Sequence, residues 1–298
     1  MNFPFQYRPI TAFAIFVLFS LGSCQKDNDS DIPSKPDTHE KRLSKVEFTS
    51  YDKHRVPPEP LHYRMEYAYT DNGNLLRNKY IKLDDEKKEV ASSSGIFKYD
   101  AQGRLIQREV FDYNGSLALN LEIKYPNDQE ALLVNQVFAG PELFQVDSTF
   151  VTLNPDNTAK KWTKKRYTNN KQNVLIGPYP ETTYTGVYDS EKRLISRTYK
   201  KNDGAETVYE ISYDDKNSMT KNWYANQPIA SLATLIIPSF NLIQPSQTNN
   251  VTSLKFKGQE GGTVNTFEYD KDGYPTTQTT TLDGNLRAKL EFVYEEQP

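Results

Sequence analysis

The residues best suited to nucleophilic, general-base or metal chemistry are three histidines, His39, His54 and His62, and one cysteine, Cys24, all before residue 63. A Ser-His-Asp triad needs an imidazole beside its serine, and no Gly-x-Ser-x-Gly elbow accompanies any serine of the chain. There is no Gly-rich phosphate loop, no His-x-x-x-His pair and no second thiol, so nucleotide, zinc and cysteine-nucleophile chemistries lack their ligands. Carboxylates are left: a pair about 5–9 Å apart can cleave glycosides without histidine. Asp270-Lys271-Asp272 and Asp214-Asp215 are the runs that could join loop carbonyls around Ca²⁺. Yet Asp100, Asp214 and Asp270 sit where a turn begins, and starting the turn is sufficient reason for an aspartate. The expectation is a protein with no catalytic residues, no metal and no cofactor. Two alternatives stand beside it, a carbohydrate-active enzyme using paired carboxylates and a purely structural envelope component. Flat aromatic faces can stack on sugar rings or anchor a protein partner, which makes Trp162, Tyr179, Trp223 and Tyr224 the candidates for contact with a glycan or surface protein.

Cys24 has a different reading. Residues 10–21 form an apolar run behind Arg8, too short for a membrane span of about 20 residues and of signal-peptide length. Leu21-Gly22-Ser23-Cys24 at its end resembles the bacterial lipobox, in which small residues admit the lipoprotein signal peptidase before an acylated cysteine. The resemblance implies residues 1–23 as a lipoprotein signal peptide and Cys24 as the lipidated, palmitate-bearing residue, with two or three acyl chains holding the protein to the membrane. Residues 24–42 are then a polar tether. Lys26 followed by Asp27, Asp29 and Asp31 resembles the export signal that sends Bacteroidota lipoproteins to the outward face of the outer membrane, with the periplasmic face as the alternative.

The rest of the chain must be built from strands. Hydrophobic residues are 36% of the sequence, below the usual share, but aromatics are 12%, which a disordered chain would lack. The net charge of −3 with interspersed signs gives no basic stripe, which excludes a general nucleic-acid binder. Apolar residues alternate with a period of two: Leu117, Leu119, Leu121, Ile123 and Tyr125; Leu286, Ala288, Leu290, Phe292 and Tyr294; Tyr63, Met65, Tyr67 and Tyr69. Such strands bury one face and wet the other, which accounts for the thin apolar count. Between them a turn recurs. Tyr99-Asp100-Ala101-Gln102-Gly103-Arg104-Leu105 is echoed from Tyr69, Tyr188, Tyr213 and Tyr269. Its Asp starts a type I turn, its Gly takes the left-handed position, and the register sets Tyr99 opposite Leu105. Asn217 is expected to serve in place of that Gly in the fourth copy, and Lys192, a poor substitute, in the third. Asn114-Gly115, Asp203-Gly204 and Asp283-Gly284 signal two-residue hairpins in between.

The chain is therefore expected to be all-β, an antiparallel up-and-down meander of repeated hairpins, curled or barrel-like, forming a single domain over 43–298 with irregular insertions near 139–182 and 225–250. The Tyr-Asp-x-x-Gly-Arg-Leu turns are similar to the YD repeats of RHS-type proteins. Joined to the lipobox, they resemble a group of Bacteroidota surface lipoproteins with a porin-like β-meander. That resemblance covers about residues 43–138 and 183–298; it implies architecture and carries over no catalytic residue. Asp147-Ser148-Thr149 resembles the three-residue acceptor of Bacteroidota O-glycosylation, with Ser148 as the modified residue.

Overall fold

The computed structural model describes residues 41–51, 60–71, 73–156, 158–170, 174–201, 204–220 and 249–296. The strands are β1 (Lys41–Tyr51), β2 (Pro60–Tyr69), β3 (Leu75–Leu83), β4 (Glu89–Tyr99), β5 (Leu105–Phe111), β6 (Leu117–Asn127), β7 (Glu130–Ala139), β8 (Glu142–Leu153), β9 (Ala159–Asn169), β10 (Leu175–Ile176), β11 (Thr182–Tyr188), β12 (Leu194–Lys201), β13 (Glu206–Tyr213), β14 (Val251–Phe256), β15 (Thr263–Tyr269), β16 (Pro275–Leu282) and β17 (Asn285–Glu296). Each pairs antiparallel with its successor, except that β9 pairs with both the two-residue β10 and β11. Strand β1 lies between β2 and β17, with Phe48 opposite both Tyr63 and Leu290, so the meander closes into a 16-strand barrel. Closure leaves no long unpaired edge, the standing hazard of an open sheet.

One rim of the barrel is written in the repeated turn, and every residue of the motif has a structural task. In Tyr99–Leu105 the Asp100 amide donates to the Arg104 carbonyl, and Oδ1 of Asp100 accepts the amides of Gln102 and Arg104 at 3.0 and 2.8 Å. Arg104 Nε donates to Asp100 Oδ2 at 2.8 Å, and its guanidinium lies 4.3 Å from the centre of the Tyr125 ring in the next hairpin. Gly103 takes φ +76°, and Tyr99 stands opposite a fully buried Leu105. Five rim tyrosines then donate their hydroxyls to a carbonyl of the preceding hairpin, Tyr69 to Leu43, Tyr99 to Leu75, Tyr125 to Leu105, Tyr213 to Leu194 and Tyr294 to Pro275, while Tyr269 donates to the Asp214 carboxylate. Leu43 is itself opposite Tyr294, so this chain of bonds crosses the seam where the barrel closes. Burial pushes the Tyr125 phenol up to about 12.

The turns depart from expectation in two ways. Asn114-Gly115 does not make a two-residue loop, and Asp203 of the Asp203-Gly204 signal lies outside the described residues. Phe111 pairs with Leu117, Asp112 accepts the amides of Asn114 and Ser116, and Gly115 alone goes left-handed, which repeats the five-residue turn of the other rim; the Lys201–Ala205 turn has the same backbone bonds. Asp112, three residues before Gly115, captures that turn, which a dipeptide rule does not register. Asp283-Gly284, with φ of 51° and 77°, is a true two-residue hairpin. The second departure is at Tyr213. Asn217 is not left-handed, because β13 does not turn there. Instead Tyr213 pairs with Val251, the Asp214 amide donates to the Asn250 carbonyl, and Asp214 Oδ1 accepts the amides of Lys216 and Asn250. The turn is intact but split, with residues 217–249 inserted between its third residue and its last. Most of the stretch 225–250, expected as an irregular insertion, lies outside the described residues. Residues 139–182 carry full-length β8 and β9; irregular backbone is confined to the part after β9.

The two faces of the wall differ in kind. Positions in register with Val46, Met65, Leu121, Leu133, Val151 and Leu290 are buried and form the core, on the concave side of the closed sheet. The alternate positions carry charge: Lys45 opposite Glu66, Glu47 opposite Arg64, Lys79 beside Glu89, Lys98 beside Glu109 and Lys200 beside Glu206. Large apolar residues on this outer face, such as Phe150 and Val187, keep 42% and 56% of their surface exposed, whereas Leu133 and Val151 keep 1% and 0%. Leu286 was expected inside, but the register shift opposite Thr280 and Thr281 turns it out.

Candidate functional site

The charged groups that the strands turn inward are the chemistry this sequence hid best. Asp147 of β8 is opposite Arg166 of β9, and its side chain keeps 2% exposure. Arg166 donates from Nε at 2.8 Å and from NH2 at 3.2 Å, Lys164 Nζ lies at 2.7 Å, and Gln145 Nε2 donates at 2.9 Å. This forked pairing holds the Arg166 guanidinium above its usual pKa. Arg166 nevertheless keeps 43% of its side chain exposed, so solvent reaches the lumen at this point.

The wall beyond it is aromatic. Trp162 stacks on Tyr184 of β11 with ring centres 5.4 Å apart and planes 6° off parallel, Tyr184 meets Tyr199 of β12 at 5.3 Å, and Tyr209 of β13 meets Phe256 of β14 at 4.7 Å. These are cross-strand neighbours on the inward parity, Trp162–Tyr184–Tyr199 in one row and Tyr209–Phe256 in the next. Arg197 enters between them, opposite Tyr209 on one side and Gly186 on the other. Its guanidinium lies 4.9 Å from the Tyr209 ring centre and 5.9 Å from that of Tyr184. Arg197 Nε is buried without a hydrogen-bond partner, and no carboxylate of the described residues pairs with the group. Burial accordingly lowers its pKa from the usual value.

Of the predicted ligand-contact residues, Trp162 is in this wall, buried and stacked, so its face is taken by Tyr184. Tyr179 is far along and exposed, its hydroxyl paired with Thr168 Oγ1 at 2.9 Å; the fold does not bring these two together. Trp223 and Tyr224 lie outside the described residues, as do Leu21, Gly22, Ser23 and Cys24. Ser148 sits mid-strand on the outer face, between Val134 and Lys165, while Asp147 and Thr149 point inward. The aspartates weighed for Ca²⁺ are otherwise engaged: Lys41 Nζ lies 2.7 Å from Asp270 and 2.6 Å from Asp272, and Asp214 accepts from Tyr269 and Asn250. His62 faces outward, paired with Thr49. Among the described residues no group of three His, Cys, Asp or Glu is placed to hold a metal.

Sequence reasoning passed over Lys164, Arg166 and Arg197, and met Asp147 only as part of an acceptor motif, not as an inward charge. Strand β9, with Lys160, Lys161, Lys164, Lys165 and Arg166, is charged on both faces and shows no apolar stripe to set its parity. The available signal was Arg197, which shares the parity of Tyr199.

No protein-family model matches the chain, and no curated protein matches it. Among solved structures it is similar to a porin-like protein from Bacteroides uniformis, with a TM-score of 0.50 and 14% identity over 85% of this chain and 98% of that one. A porin-like protein from Bacteroides vulgatus gives a TM-score of 0.46 and 12% identity, covering 86% and 99%. The Photorhabdus luminescens Tc holotoxin pore gives 0.30 and 11%, covering 79% of this chain and 13% of that chain. What the first of these likenesses carries is the fold: an all-β antiparallel meander closed into a porin-like barrel.

Proposed function

We propose that the protein is a lipid-anchored, non-enzymatic binding or assembly module of the cell envelope, tethered through Cys24 to the outer membrane and facing outward, with its barrel beside the bilayer and not through it. The observation that carries this reading is the polarity of the wall. A membrane-spanning barrel presents an apolar band to lipid and keeps polar residues for its lumen, and an Arg or Lys at the bilayer midplane costs about 2–4 kcal/mol. Here the order is reversed: the ion pairs Glu47–Arg64, Lys98–Glu109 and Lys200–Glu206 line the outside, and the apolar core lines the inside. A barrel shaped like a porin but wetted like a soluble protein needs another attachment, and the lipobox at Leu21–Cys24 supplies one. The repeated turns support a non-enzymatic role, since their aspartates are engaged by backbone amides and arginines.

Metabolic labelling with a palmitate analogue, followed by detergent phase partition, tests the reading. The wild-type chain is expected to take the label and enter the detergent phase, and Cys24→Ala to lose the label and partition into water. A Cys24→Ala protein that still requires detergent would establish the barrel as membrane-integral and overturn the proposal. Protease accessibility on intact cells separates the outward from the periplasmic face.

A further inference from the structure

The lumen has a charge opposite to that of the protein. The chain is net −3, yet between the two rims the strands turn Arg108, Lys164, Arg166 and Arg197 inward against a single inward carboxylate of the described residues, Asp147. Asp147 is saturated by two of these cations and a glutamine. Arg197 is the one left facing tyrosines without an acid. Residues 221–248, which leave and rejoin the wall nearby in sequence, contain no Asp or Glu that could supply a counter-charge. A guanidinium that is part-buried, with its Nε buried and unpartnered, is costly to maintain, and its planar fork matches a carboxylate or phosphate group. The partial exposure of Arg166 shows free space beside the inward cations.

We infer that the lumen is an anion-binding chamber for a small organic molecule bearing an oxyanion, with Arg197 as the docking group and Tyr184 and Tyr209 flanking it. Lys164 and Arg166, two cations against the one Asp147 carboxylate, add to the field that draws the anion inward. This deepens the binding-module reading and rests on it, but it is independent of how the protein is anchored.

Titration calorimetry on the full chain in detergent tests it with three probes: benzoate, inorganic phosphate and the neutral benzyl alcohol. At least one oxyanion is expected to bind ten-fold or more tightly than benzyl alcohol, to weaken with added salt, and to shift the ring protons of Tyr184 and Tyr209. Preference between benzoate and phosphate identifies the oxyanion. Arg197→Gln is expected to lose at least ten-fold in affinity, and Lys255→Gln, on the outer face opposite Glu210, none. Should Arg197→Gln fail to fold, Arg197→Lys, which keeps the charge and loses the fork, is expected to weaken binding several-fold. Absence of binding for both oxyanions, equal binding of benzyl alcohol, or unchanged affinity in a folded Arg197 variant overturns the inference. Because lipidation is read in a separate assay, loss of anion binding with an intact anchor leaves the envelope assignment standing.

Discussion

The barrel wall has two unlike halves. Along β17 and β1–β9 most inward positions are apolar and buried, Leu43, Val46, Phe48, Met65, Leu121, Leu133 and Val151 among them, with the Asp147–Lys164–Arg166 cluster as the charged exception at β8 and β9. Along β11–β16 the same parity carries Tyr184, Arg197, Tyr199, Tyr209, Asn265, Gln278 and Thr280, hydrogen-bonded or stacked and in several cases partly wet. One sheet, one turn motif and one alternation thus produce a core on one side and a polar, aromatic surface on the other. The difference teaches that closing a barrel and filling it are separate tasks: hydrogen bonds and turns close the ring, while burial stabilises only the arc that packs against itself.

The comparison can be broken where it is strongest. Leu133→Ala in β7 is expected to cost about 2–5 kcal/mol, as for a fully buried leucine. Ile211→Ala in β13, on the same parity but only half-buried, is expected to cost about 1 kcal/mol. Urea unfolding measures both, and equal losses would mean the two halves share one core. The seam between the halves gives a smaller effect. Lys41 of β1 bridges to Asp270 and Asp272 in the turn before β16. Desolvation pulls Asp270 upward, but the Lys41 ammonium and the amides of Tyr274 and Asp272 outweigh it and hold the carboxyl below its usual range. Its stabilising contribution is complete above the unfolded pKa of about 3.9 and is lost as pH falls through the lower folded value. Asp270→Asn is therefore expected to flatten the acid limb of a stability-against-pH curve while costing about 1 kcal/mol or less at neutral pH. An unchanged acid limb would remove Asp270 from the seam. The smallest effect belongs to the wetter half. Lys192 sits at φ 63° where the copies from Tyr69, Tyr99 and Tyr269 have glycine, and Lys192→Gly is expected to stabilise the β11–β12 turn by about 0.5 kcal/mol, read as a small rise in Tm.

Much of this architecture was legible in the sequence, because turn chemistry is local. Tyr99 opposite Leu105, the left-handed Gly103 and the alternation of Tyr63, Met65, Tyr67 and Tyr69 follow from residues within one hairpin. Closure was left open between curled and barrel-like, since the pairing of β1 with β17 joins residues about 250 positions apart and no local pattern encodes it. The lumen charges were missed for a related reason. Which face of a strand is inside is set by the whole ring, and in β9, charged at both parities, the sequence offers no vote. The split turn at Asp214 was misread because its closing residue, Asn250, stands 36 positions away from the aspartate that holds it.

That split turn makes the barrel a carrier with a built-in cassette port. Asp214 and Asn250 already make the bonds that Asp100 and Arg104 make in an uninterrupted copy, so the two ends of the insertion are clamped whatever chain runs between them. Asp214-Asp215-Lys216, one glycine and Asn250-Val251 would spell the parent hairpin again. The strand pairings that flank this address thus close without the chain between its ends, although Met219 at the start of the insertion packs into the core.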